Sequence, residues 1–243
     1  MNQQRILALS SSRAGESGYL AEAIPHINIL LGNRTLQIAF IPFAAVNNDY
    51  ETYTATVCEA LQSLPHRVIS VLPETAAETI NKADAIMIGG GNSFKLLHDL
   101  HALQLRQLIR DKVHNGTPYI GWSAGSIMLS PGLFTTNDMP VIEPESFQAL
   151  GLFPFQINPH YTNALPAGHR GETRDQRLHE FVHLHPRLPV LGLPEGTAVQ
   201  LLDGELRILG ERGAFLFTAG PDDTMKKKEL RAGEALTYLM VGL

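Results

Sequence analysis

The sequence predicts a doubly wound α/β fold on a mostly parallel sheet. Short apolar runs alternate with longer amphipathic runs along the first half of the chain. Glycine-bearing turns follow two of those apolar runs. Over 243 residues, 44% hydrophobic and 18% charged side chains are enough to bury a proper core.

Residues 6–10 (ILALS), 36–41 (LQIAFI), 67–72, 85–88 (AIMI) and 119–122 (YIGW) read as strands. Their length and their branched or aromatic content suit a sheet covered on both faces. Residues 50–64, 74–82 and 92–114 read as helices. Tyr53, Val57, Leu61 and Leu64 recur at helical spacing, and so do Leu96, Leu97, Leu100, Leu103, Leu105 and Leu108. Strand–helix alternation of this kind implies right-handed crossovers. The second half is less regular. Residues 173–184 look helical, and 190–193, 198–201, 206–209 and 214–217 look like strands, with Asp203-Gly204 as a hairpin turn between two of them. Lys226–Lys228 reads as a solvated turn. Neither an internal repeat nor a Pro/Gly/Ser-rich linker interrupts the chain, so residues 1–243 are expected to form a single domain.

Composition bounds the function classes. A net charge of −5 argues against a nucleic-acid partner and does not favour an anionic membrane surface. Cys58, the single cysteine, cannot form an internal disulfide. Its apolar, helix-like surroundings suggest a small buried hydrophobe in a reducing compartment. The first dozen residues lack a signal-peptide core, and no run approaches the roughly 18 apolar residues of a spanning helix. A cytoplasmic protein is expected.

The strongest chemical signal is Gly121-Trp122-Ser123-Ala124-Gly125, a G-x-S-x-G pattern between a strand-like and a helix-capable run. A serine on so tight a turn has a strained backbone, and side chains two residues either side would collide there. The turn presents Ser123 as a nucleophile and aims backbone N–H groups at a developing oxyanion. Gly89-Gly90-Gly91-Asn92 follows the preceding strand, with Asn92 placed to cap a helix. Ligands of open α/β sheets bind at the carboxyl ends of strands. An N–H of Gly90 or Gly91 can therefore join that of Ala124 in an oxyanion hole.

A serine nucleophile needs a base. His160, in INPHY, ends a short apolar strand, whereas most other histidines lie in charged or helical surroundings. The base needs a carboxylate. Glu195, between Pro194 and Gly196, and Asp138, in a polar loop, are both candidates, and spacing does not choose between them. A competing pattern, His179-Glu180-Phe181-Val182-His183, matches H-E-x-x-H. Two histidines at i and i+4 can bind zinc. Here the only ligand type close downstream is His185, and Leu178, Phe181, Val182 and Leu184 supply a buried face that turns the histidines outward. A solvated helix face is the expectation, with no metal and no cofactor.

Together GGGNSF, GWSAGS, INPHYTN and GLPEGTA, in this order and spacing, resemble the peptidase E family of bacterial α-aspartyl dipeptidases. The similarity runs from LALSSS to beyond Gly196. It implies a flavodoxin-like sheet related to class I glutamine amidotransferases, and a serine hydrolase acting on small peptides, mainly dipeptides, with an unblocked N-terminal aspartate. By the family pattern Ser123 is the nucleophile and His160 the base, while both Asp138 and Glu195 remain open as the acid. Arg174, in GETR, becomes a candidate for binding a substrate carboxylate by bidentate hydrogen bonds. A monomer or homodimer is expected. A cyanophycinase-like hydrolase, a zinc peptidase using His179 and His183, and a non-catalytic binding module are the alternatives.

Overall fold

A computed structural model of the chain describes residues 4–165, 167–168, 170–221 and 224–241. A seven-stranded sheet forms its centre. In chain order it contains β1 (Ile6–Leu9), β2 (Gln37–Ile41), β3 (Arg67–Ser70), β4 (Ala85–Ile88), β5 (Tyr119–Trp122), β8 (Ala198–Leu202) and β9 (Glu205–Leu209). The spatial order is β3-β2-β4-β5-β1-β8-β9. The first five strands run parallel, and β8 and β9 close the far edge antiparallel. Asp203 and Gly204 have φ of 51° and 80°, the left-handed pair that the β8–β9 hairpin requires.

Helices α1 (Ile24–Leu31), α2 (Tyr50–Ala60), α3 (Ala76–Lys82), α4 (Ser93–Ala102), α5 (Leu105–His114) and α6 (Ala124–Ile127) lie between these strands. Alternate strand residues feed two apolar layers. Ile6, Ala39, Ile86 and Tyr119 pack on one face of the sheet, and Leu7, Phe40, Met87 and Trp122 on the other. This is the covered, doubly wound sheet that the apolar runs predict.

A second sheet of four strands contains β6 (Gln156–Asn158), β7 (Val190–Gly192), β10 (Ala214–Ala219) and β11 (Met225–Leu230), in the order β11-β10-β7-β6. Only β6 and β7 are parallel. Helix α7 (Arg174–Leu184) packs on it through Leu178 and Val182. One apolar cluster joins the two sheets, combining Ile6 and Val199 with Ile157, Leu191, Leu216 and Leu230.

Three expectations are corrected. Residues 92–114 form two helices. The chain breaks at Gln104, whose φ of 55° is left-handed, so that Leu96, Leu97 and Leu100 and then Leu105, Ile109 and Val113 can each meet the core. Lys226, Lys227 and Lys228 lie in β11 rather than a turn. That strand is an edge, where lysines are tolerated and discourage further pairing. Cys58 is exposed, because α2 turns Val57 into the core and carries its neighbour round to solvent.

Candidate active site

Strand register assembles the site. β4 and β5 run in parallel with Ile88 opposite Gly121, so two residues further on Gly90 and Ser123 emerge side by side. In the second sheet Asn158 lies opposite Gly192, so the loops after β6 and β7 carry His160 and Glu195 out together.

Ser123 stands at the strand-to-helix turn with φ 52° and ψ −115°. Its backbone N–H donates to Leu9 O at 3.1 Å, and its carbonyl accepts from Ser126 and Ile127. Both flanking glycines are sterically required. A methyl on Gly121 would lie 2.6 Å from Gly125 O, and one on Gly125 would run into the carbonyl of Ile88. Strain of this kind persists only where the surrounding structure holds it.

His160 Nε2 lies 2.8 Å from Ser123 Oγ, and Nδ1 lies 2.9 Å from Glu195 Oε1. The carboxylate can only accept, so Nδ1 carries the proton and Nε2 faces the serine hydroxyl as an acceptor. His160 also has a positive φ, 52°. Ser10 holds it there. The His160 N–H donates to Ser10 Oγ at 2.9 Å, the Ser10 hydroxyl donates to Leu193 O at 2.7 Å, and Ser10 N–H donates to Thr197 O at 2.9 Å. One fully buried hydroxyl thus joins the end of β1 to the loops bearing His160 and Glu195. Sequence reading missed Ser10. Its only signal was a polar residue ending an otherwise apolar strand.

Asp138 goes elsewhere. Its Oδ2 accepts the Ser93 N–H at 2.7 Å and the Ser93 hydroxyl at 2.6 Å. Asn92 Oδ1 takes the next two N–H groups, those of Phe94 and Lys95. Asp138 and Asn92 therefore cap α4 together, with the acid at the positive end of the helix. The triple-glycine turn that precedes this cap passes beside the serine: a methyl on Gly90 would lie 3.0 Å from Ser123 Cβ. Gly91 follows in that turn, and Ala124 opens α6 on the other side of the serine.

Arg174 is the first residue of α7, within the capping box formed by Thr173 and Gln176. Its guanidinium donates to Asn158 Oδ1 at 3.3 Å, two residues before His160. Burial, with Arg177 nearby, loosens its hold on its proton. Among the described residues it makes no ion pair. Two hollows flank Glu195. One of about 480 Å³ lies between the loop after β1 and Gly196, and one of about 560 Å³ is walled by His160, Asn163, Arg212, Phe215 and Lys227. His179 and His183 are exposed on α7, one residue round the helix from the buried Leu178 and Val182. Among the described residues neither joins a cluster of three metal-ligating side chains.

Carboxylate, imidazole and hydroxyl in hydrogen-bonded series, at the strand ends of an open α/β sheet, form the arrangement of a serine hydrolase. Residues 6–209 match the model of peptidase family S51. Peptidase E of Nostoc sp. is 45% identical over 241 residues, 99% of this chain and 98% of that one. Peptidase E of Shewanella putrefaciens is 49% identical over 235 residues, 96% of this chain and 98% of that one. Two solved structures share the fold. A protein from Listeria monocytogenes EGD-e has a TM-score of 0.67 at 22% identity, over 86% of this chain and 98% of that one. A peptidase from an acI-B1 actinobacterium has a TM-score of 0.65 at 19% identity, over 96% of both chains. The chain belongs to peptidase family S51 and is a serine-type peptidase.

Proposed function

We propose that the protein is a dipeptidase that releases an unblocked N-terminal aspartate from small peptides, using Ser123 as nucleophile, His160 as base and Glu195 as acid. The observation that carries this reading is the unbroken hydrogen-bond series from Glu195 through His160 to Ser123. Relatives of nearly the same length named peptidase E support the substrate class. Ser123 Oγ attacks the carbonyl carbon of the aspartyl residue while His160 Nε2 takes its proton. Glu195 holds the imidazole in the required tautomer and stabilises the imidazolium. The N–H groups of Ala124 and of the Gly90–Gly91 turn receive the oxyanion. Collapse expels the amine, which leaves with the proton from His160. Water then attacks the aspartyl ester with His160 again as base, and aspartate and the free serine are restored.

Arg174 is assigned to the substrate's β-carboxylate. A half-buried guanidinium with one long side-chain contact has donors to spare for a planar anion. Asp138 is assigned to the cap of α4 rather than to the charge relay. The chain acts as one domain, since a single apolar cluster links both sheets. A cytoplasmic setting rests on its single cysteine, and a monomer or homodimer is the proposed form.

The test is hydrolysis of Asp-Leu against Glu-Leu, Ala-Leu and N-acetyl-Asp-Leu, with and without chelator. Selective, chelator-resistant cleavage of Asp-Leu is expected. Cleavage of an aspartate–arginine polymer instead would move the assignment to a cyanophycinase-like hydrolase. Loss of activity to chelator would revive His179 and His183.

A further inference from the structure

The triple-glycine turn and the serine turn are joined by a partly buried hydrogen-bond chain that the proposed reaction does not use. Trp122 Nε1, which can only donate, gives its hydrogen to the Tyr53 oxygen at 3.2 Å. The Tyr19 hydroxyl donates to the same oxygen at 3.3 Å. With two donors on that oxygen, the Tyr53 proton is directed to Gly90 O, 2.9 Å away. Burial pushes the phenol well above its usual range, so Tyr53 keeps that proton. The phenol sits directly under the turn. A methyl on Gly89 would strike Tyr53 Oη, and one on Gly90 would lie 3.1 Å from Trp122 Cδ1.

The Gly90 carbonyl and the Gly91 N–H belong to one peptide unit. Among the described residues every peptide bond is trans, so these two groups point in opposite directions. A carbonyl tied down to Tyr53 therefore turns the Gly91 N–H the other way. Among the described residues that N–H has no acceptor. We propose that Tyr53 is a positioning residue: its bond to Gly90 O aims the Gly91 N–H at the oxyanion formed on the substrate of Ser123. Trp122 and Tyr19 serve the same end by filling the acceptor side of the Tyr53 oxygen. This rests on Ser123 being the nucleophile, and it gives the tryptophan of GWSAG a task in catalysis beyond packing.

The test is Tyr53→Phe in the full chain, which keeps the ring and removes the hydroxyl. Two ligands are used: Asp-Leu, and phenylboronic acid, which adds to a serine oxygen and places a negatively charged tetrahedral boron at the oxyanion position. Removing an oxyanion donor outright costs roughly 10²–10³ in kcat, so loosening one is expected to cost about ten- to a hundredfold, with KM little changed. Phenylboronate affinity should fall in step, while the pH profile of kcat, set by the untouched His160–Glu195 pair, should stay in place. Trp122→Phe should move both quantities the same way by less, and it serves if Tyr53→Phe does not fold. Wild-type kcat and boronate affinity in a folded Tyr53→Phe would overturn the proposal. So would a fall in kcat with boronate affinity unchanged, which is the signature of general loosening. The boronate arm needs no aspartyl group. If the wild-type protein binds phenylboronate but leaves Asp-Leu intact, the substrate assignment fails and the Tyr53 proposal is still decided by boronate affinity. If the wild type does not bind phenylboronate at all, the nucleophile assignment and this proposal fall together.

Discussion

Ser123, His160 and Glu195 differ in what their removal should cost. Ser123→Ala deletes one oxygen at a turn held by backbone bonds and close glycine contacts. The fold should survive while kcat for Asp-Leu falls by roughly 10⁶, the loss typical of a missing serine nucleophile. An unchanged melting curve beside near-wild-type turnover would remove Ser123 from the mechanism. Arg174→Lys keeps the charge and loses the fork. It should raise KM for Asp-Leu by about tenfold or more and narrow its advantage over Ala-Leu. A variant that kept the full Asp-over-Ala preference would move aspartate recognition to another residue. Ser123 was legible in the sequence, because the G-x-S-x-G pattern is a local feature, and His160 stood out as a histidine ending a strand, but its pairing with the serine was implied only by the family resemblance. The choice between Glu195 and Asp138 was not legible. It depends on β6 and β7 pairing in register across the 31 residues of chain between them (159–189), a tertiary fact that spacing does not encode. Ser10 and Tyr53 were missed for the same reason, since each acts on a residue far away in sequence.

At the scale of elements, α4 links the cap to the triple-glycine turn. Asp138 and Asn92 between them satisfy the first N–H groups of α4. Asp138→Ala should therefore lower stability by about 1 kcal/mol, read as a fall in melting temperature. A variant as stable as the wild type would take Asp138 out of the capping role. Helix α1 offers a pH test. Burial holds the His26 imidazole below its usual range. As pH falls below about 6.5 the unfolded chain takes up a proton there before the folded one does, so stability declines with acidification. His26→Gln should flatten that decline in melting temperature between about pH 7 and pH 5. An equally steep fall in the variant would assign the acid sensitivity to other groups. Element type was well read from periodicity in the first half of the chain, where β1, β4 and β5 are buried on both faces. It failed where tertiary context overrode the local pattern. Continuous leucine spacing hid the left-handed residue Gln104, and three lysines disguised an edge strand.

The whole molecule brings two sheets to one point. The large sheet supplies the serine and the glycine turn, the smaller one supplies the histidine and the carboxylate, and the Ser10 hydroxyl bridges them. Ser10→Ala leaves the His160 N–H without its acceptor in a partly buried setting. It should cost about 1–3 kcal/mol of stability, and about ten- to a hundredfold in kcat as the imidazole drifts from the serine. Wild-type kcat in that variant would mean that packing alone positions the imidazole. The central claim is that Glu195, and not Asp138, holds His160 for catalysis. The direct measurement is kcat/KM for Asp-Leu in Glu195→Gln and Asp138→Asn, made side by side with melting curves. Glu195→Gln should fall by about 10⁴ with its melting temperature preserved, as expected when a triad acid loses its charge. Asp138→Asn should keep its activity to within about tenfold, any loss following its stability. The reverse order, a crippled Asp138→Asn beside an active Glu195→Gln, would contradict the assignment.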